Sequence, residues 1–150
     1  TRQVFLAGLR LHPPVPSVAR RTKQNLNIAG YDVPADTTVF VVPYVTHRHP
    51  DFWENPDSFH PERFEREPAP YSYMPFIAGP RSCIGEHFAM MEGITILALL
   101  CHRVRPAPVG PDDVREAPMA TLRMIGKLTG DFDTLRITMK FRLKFKADKG

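Results

Sequence analysis

The ten residues Phe76-Ile77-Ala78-Gly79-Pro80-Arg81-Ser82-Cys83-Ile84-Gly85 run straight into an apolar stretch from Glu86 to Arg103. This junction constrains the chain more than any other part of it. Glycines at 79 and 85 remove side chains on either side of Cys83, which allows a tight turn before the cysteine and close approach of something flat after it. Pro80 stiffens the loop. If 86–103 is helical, residues 84 to 86 present unpaired N–H groups toward the sulfur at the positive end of the helix, and both effects favour thiolate over thiol. Arg81 is a forked donor suited to carboxylates, and Phe76 is placed to shield the sulfur from water. An electron-rich sulfur under an apolar lid has the chemistry of an iron ligand. The plainer alternative, a small buried hydrophobe, gives no reason for this spacing of Phe, Gly, Arg, Cys and Gly.

The pattern FxxGxRxCxG followed by Ala89 resembles the cysteine-ligand loop of the cytochromes P-450, the haem-thiolate monooxygenases. The resemblance implies that Cys83 is the axial iron ligand, Arg81 a partner of a haem propionate and Phe76 the aromatic that covers the proximal sulfur. Gly79 and Gly85 would shape the backbone around the cofactor. The cofactor implied is haem b (iron protoporphyrin IX), with thiolate donation favouring O–O cleavage. The reaction implied inserts one oxygen atom of O₂ into a small, apolar organic substrate. NAD(P)H would act only indirectly, through a reductase or ferredoxin as redox partner. The fold implied is mainly α with small β-sheets, α+β with much irregular loop, and these residues would be its C-terminal part.

Two more segments carry the resemblance. Val4 to Leu11 reads as the last two turns of a helix that His12-Pro13-Pro14 stops. No cap precedes it, as expected of a chain that begins inside an element of a longer parent. Arg10-Leu11-His12-Pro13-Pro14 resembles the end of the family's ExxR helix, assigned to 1–11, but Ala7 stands where the Glu is expected. In the family that Glu, the helix arginine and an arginine from a later loop form a buried charge network. Pro61-Glu62-Arg63-Phe64, in the loop 47–75, resembles the PERF segment that supplies the second arginine. Without a carboxylate at 7, Arg10 and Arg63 meet as like charges, which predicts weak haem retention.

Residues 15–46 read as a small sheet, with a hairpin-like bend in the stretch Ile28 to Pro34, marked by its Gly and Pro, and a β-branched run from Thr37 to Val42. Arg20 lies on its first strand, where the family often places a second propionate-binding arginine; the alternative is a solvated strand residue. His47, His49 and His60 invite a metal reading, against which the resemblance makes this stretch packing and turns, with Trp53 an anchor in the core. The helix Glu86 to Arg103 is apolar nearly all round, which predicts burial on most sides and an inert buried thiol at Cys101. Residues 107–116 read as a polar, proline-marked connection, and strands are expected over 120–147. Ala120-Thr121-Leu122-Arg123 and Ile137-Thr138-Met139-Lys140 compete for the family's closing Thr-Leu-Arg signature. Residues 140–146 alternate basic and apolar, the pattern of a half-buried edge strand, with a basic binding ribbon as the alternative.

The 150 residues fit one partial domain; 43% hydrophobic and 24% charged residues exclude a disordered chain, and 16 prolines call for long irregular connections. Net charge is +4 and the pI about 9.3. The basic residues are dispersed without a nucleic-acid motif, so no nucleic-acid partner is expected, and the resemblance favours an acidic redox partner meeting the Cys83 face. If both lay on one helix, Cys83 and Cys101 would be roughly 27 Å apart and could not bridge. That predicts a reducing, intracellular location, in the cytoplasm or on the cytoplasmic face of an internal membrane. No run of ~18 uncharged apolar residues occurs, and membrane attachment of a longer parent stays open. The family's oxygen-activating acid–alcohol pair is not among these residues, so no catalytic residue is assigned. The isolated chain is expected to be inactive alone; the alternative is a non-enzymatic haem-binding or protein-interaction module.

Overall fold

A computed structural model of the chain describes residues 1–103 and, after them, the segments 107–108, 115–118, 121–125, 127–132 and 135–140. Helix α1 (Arg2–Leu11) places Leu6, Ala7, Arg10 and Leu11 on one buried stripe, the spacing of a helix with a single inward face. It begins two residues before the Val4 that the apolar pattern marks. It stops at the two prolines, with the His12 N–H still reaching the Gly8 carbonyl at 2.8 Å.

Strands β1 (Val18–Arg21), β2 (Leu26–Ile28), β3 (Tyr31–Val33) and β4 (Thr38–Val41) follow. The sheet expected over 15–46 is two separate antiparallel ladders, β1 with β4 and β2 with β3. Ala29 and Gly30 both have positive φ, 51° and 89°, as a two-residue hairpin turn requires. The Asn27 side chain closes that turn, accepting from the Gly30 N–H at 3.0 Å and donating to Asp32 at 2.7 Å. Thr22 ties the ladders together: its hydroxyl donates to the Pro34 carbonyl at 2.7 Å and accepts from the Thr37 N–H at 2.9 Å.

A short helix, α2 (Pro43–Thr46), opens an irregular stretch whose only regular pieces are 3₁₀ turns at Pro61–Glu65 and Gly79–Arg81. Irregular chain of this kind is held by side chains. Trp53 and Phe64 meet Leu6 and Ala7 in the core, with Tyr73 and Met90 packed against them. The Phe64 and Tyr73 rings meet edge to face at 4.9 Å, and the Trp53 indole N–H donates to the Ser72 carbonyl at 3.3 Å. Trp53 is thus a core anchor.

Helix α3 (Glu86–Arg103) has the bounds the sequence indicates, but its burial does not follow the expectation. None of its residues is buried, and Phe88, at 63% exposure, stands out with Met91, Ile96, Leu99 and Leu100. Cys101 is exposed as well, not an inert buried thiol. Apolar character on every side states what a helix can bury, not what lies against it. Its packing on α1 is marked by Gly93, whose missing Cβ is the room the Phe5 ring occupies.

Beyond it, β5 (Ala107–Pro108), β6 (Arg115–Pro118), β7 (Leu122–Ile125), β8 (Lys127–Phe132) and β9 (Leu135–Lys140) form two sheets, β5-β8-β9 and a β6–β7 hairpin. The connection read as irregular after Pro106 therefore holds two short strands. The Leu122 N–H donates to the Pro14 carbonyl at 2.7 Å, returning this region to the end of α1. The alternating stretch past Lys140 lies outside the described residues. Among the described residues no helix is long and apolar enough to cross a membrane.

Candidate functional site

The loop that carries Cys83 is built from three nested turns. The Ile77 N–H donates to the Met74 carbonyl at 3.1 Å, the Ser82 N–H to Gly79 at 3.0 Å, and the Cys83 N–H back to Phe76 at 2.9 Å. Gly79 takes a positive φ of 79°, which its lack of a side chain permits, and Ile77 takes one of 62°. For a β-branched residue that backbone is strained. Strain of this kind beside Cys83 was not legible in the sequence, since nothing at Ile77 marks a left-handed position. The Ala89 N–H reaches Gly85 at 2.9 Å, so the first turn of α3 begins two residues after the cysteine.

Cys83 is exposed rather than sealed among aliphatic side chains. A Cβ placed on Gly85 would meet only the Cys83 Sγ, at 3.8 Å, so the backbone beside the sulfur is bare and open. Two expectations about the sulfur need correction. The Glu86 N–H turns to the Cys83 carbonyl, at 3.3 Å, and is not free to face the sulfur. Phe76 is half-buried and lines a 540 Å³ cavity with Phe64, Tyr73 and Met90; its ring does not close Cys83 off from solvent.

Arg20 and Arg81, far apart in sequence, line one cleft of 340 Å³ together with Val18, Val41, Tyr71 and Ile77, and no acidic side chain contributes to its wall. Strand β1 delivers Arg20 through its pairing with β4, where Arg20 faces Val39. The 3₁₀ turn delivers Arg81. Two arginines among apolar lining residues suit a ligand with a flat apolar body and carboxylates at its edge.

Behind the loop lies a buried polar clamp. Arg10, 1% exposed, donates to the carbonyls of His47 at 2.7 Å, Pro56 at 2.6 Å and Ser58 at 2.9 Å, with its guanidinium 5.0 Å from the Trp53 ring. Burial first, then the charges of Arg63 and Arg48, pull its pKa down to about 10. Arg63 itself donates to the Asn55 carbonyl at 3.2 Å. With Ala7 fully buried and offering no carboxylate, backbone carbonyl dipoles hold the cation.

His47, wholly buried, answers Arg10 in kind: its Nδ1 lies 3.2 Å from the Arg10 carbonyl and its Nε2 accepts the Met74 N–H at 2.8 Å. Burial depresses its pKa to about 4, with the Arg10 and Arg48 charges acting the same way against the hydrogen bond to Arg10. Both ring nitrogens are engaged, so His47 forms no metal set with His49 and His60, which sit beside Asp51 and Glu62 respectively. Sequence reading placed His47 among packing residues and missed this bridge.

The family model for cytochrome P450 matches residues 3–128, a range that takes in Ala120-Thr121-Leu122-Arg123 and leaves out Ile137-Thr138-Met139-Lys140. Cytochrome P450 4V2 of Homo sapiens is 48% identical over 101 residues, 65% of this chain and 19% of that protein. Cytochrome P450 4d2 of Drosophila melanogaster is 41% identical over 112 residues, 73% of this chain and 22% of that protein. The chain thus spans about a fifth of the length of these curated relatives. The crystal structure of CYP175A1 from Thermus thermophilus superposes with a TM-score of 0.76 at 33% identity, covering 88% of this chain and 35% of that one. The cytochrome P450DA haem domain gives 0.75 at 27%, covering 82% and 28%.

Proposed function

This chain belongs to the cytochrome P450 family, and from that membership and the loop geometry we propose that it forms the haem-ligating portion of a haem-thiolate monooxygenase. The observation that carries the reading is Cys83 held open at the mouth of α3 beside a bare glycine, where a flat group can approach the sulfur. Cys83 would hold the iron. Arg81 and Arg20, sharing one cleft, would take the propionates, while Gly79 and Gly85 keep the backbone clear and Phe76 lines the cavity behind the loop. When bound, haem supplies the activation of dioxygen for insertion of one oxygen atom into a small organic substrate.

The residues present fit this group, because they offer a soft ligand, an open plane and paired cations for carboxylates. What they do is bind, orient and neutralise; no side chain here moves a proton in the reaction. Residues 1–150 act as a single partial domain, inactive by itself. Electrons from NAD(P)H would arrive through an acidic reductase or ferredoxin attracted by the net charge of +4, in an intracellular setting.

A second reading, a haem-binding or interaction module without turnover, draws support from Ala7 in place of the family's glutamate. The carbon monoxide difference spectrum of the reduced, haem-loaded protein separates them. A thiolate-type Soret band that disappears in Cys83→Ser supports ligation by this loop. No such band in the wild type leaves the interaction module.

A further inference from the structure

We propose that His47 is the positioning residue of the Cys83 loop: its imidazole, as the Nδ1–H tautomer, suspends the start of that loop from the end of α1. The importance of the loop rests on the reading of Cys83 as the iron ligand; the geometry of the suspension does not.

The Met74 amide can only donate, so the Nε2 it meets at 2.8 Å must be the bare nitrogen. The proton then sits on Nδ1, which faces the Arg10 carbonyl at 3.2 Å. Arg10 returns the contact through its own side chain, donating to the His47 carbonyl at 2.7 Å. The two residues therefore lock each other through backbone and side chain at once. From Met74 the path to the cysteine is short: the Met74 carbonyl takes the Ile77 N–H at 3.1 Å, and the Phe76 carbonyl takes the Cys83 N–H at 2.9 Å.

A strained loop needs such an anchor. Ile77 sits at a φ of 62° between these two bonds, a conformation that persists only where the surroundings over-determine it. Tyr73, next to Met74, adds a second tie: its ring lies 5.2 Å from the His47 ring and its hydroxyl donates to the Leu6 carbonyl at 3.0 Å. The imidazole is kept neutral, and so able to accept, by burial and by the cations Arg10 on α1 and Arg48 on its own segment. It reaches α1 with a donor and the loop with an acceptor, two roles that a neutral imidazole fills at once. A fully buried imidazole here is a device for placing a loop, in addition to filling space.

Two substitutions divide the ring's functions. His47→Gln keeps an acceptor near the Nε2 position and preserves the Met74 bond; His47→Asn keeps a donor near Nδ1 and preserves only the Arg10 bond. Amide hydrogen exchange in the full chain is expected to show at least a tenfold loss of protection at Met74 and Cys83 in His47→Asn, with α1 amides unchanged. In His47→Gln the same two amides stay within about threefold of wild type. Equal losses in both variants, or losses confined to α1, overturn the proposal. The wild-type protein gives an independent measure: nitrogen NMR should find an unprotonated Nε2 scalar-coupled across the hydrogen bond to the Met74 amide nitrogen. A protonated Nε2, or no coupling, also overturns it. Both readouts are free of haem, so a missing thiolate-type Soret band would sink the reading of Cys83 and leave the suspension standing.

Discussion

At position 7 a single side chain changes how a buried cation is held. Arg10 has lost the carboxylate its family resemblance leads one to expect, and three carbonyls and the Trp53 face stand in for it. Those dipoles satisfy its N–H groups but do not cancel its charge, and its pKa is depressed by burial first and then by the repulsion of Arg63 and Arg48. Ala7→Glu should therefore stabilise the protein. Loss of one member of a buried network costs about 3–5 kcal/mol, and recovering even ~1 kcal/mol raises Tm by about 2–8 °C. Thermal unfolding and haem occupancy check this, and no gain in either contradicts it. His47 sets a pH limit of its own. Its folded pKa of about 4 lies below the unfolded 6.5, so the unfolded chain binds the proton more tightly between those values. Stability is complete above pH 6.5 and falls as pH drops toward 4, by ~3 kcal/mol at most. His47→Gln should flatten that part of a Tm-against-pH profile.

Among the elements, local signals survived into the structure and long-range ones did not. A hairpin between Ile28 and Pro34 was readable because Gly30 is a local turn signal, and the structure puts the turn at Ala29-Gly30, closed by Asn27. The ends of α3 were readable because Gly85 and the charged residues at its end mark them. Its burial was not, since that depends on what packs against it. Nor was the His47–Met74 bridge, which spans 27 residues and leaves no periodic trace. The close contact between α3 and α1 is testable. Gly93→Ala puts a methyl group where the Phe5 ring lies and should destabilise by ~1–3 kcal/mol. Phe5→Ala clears that space, so the double variant should lose less than the sum of the two. Strict additivity in denaturant unfolding would show that the contact is absent.

For the whole molecule, irregular chain does the placing that regular elements do elsewhere. Sixteen prolines forecast this, and the stretch from Pro43 to Gly85 is organised by a buried histidine, an arginine and an aromatic core rather than by a sheet. That arrangement brings Arg20 from one ladder and Arg81 from a turn to a shared cleft, and leaves the sulfur of Cys83 facing outward. Family membership was legible from three short segments in order, while the positions that bring them together are set by long-range contacts that leave no local signal. The proposed role of the loop turns on which atom would hold iron. X-ray absorption at the iron edge of the haem-loaded protein tests this directly, with the exposed Cys101 as an internal control. One sulfur neighbour in the wild type and in Cys101→Ser, lost in Cys83→Ser, is the predicted result; a sulfur that persists without Cys83, or none at all, would contradict it.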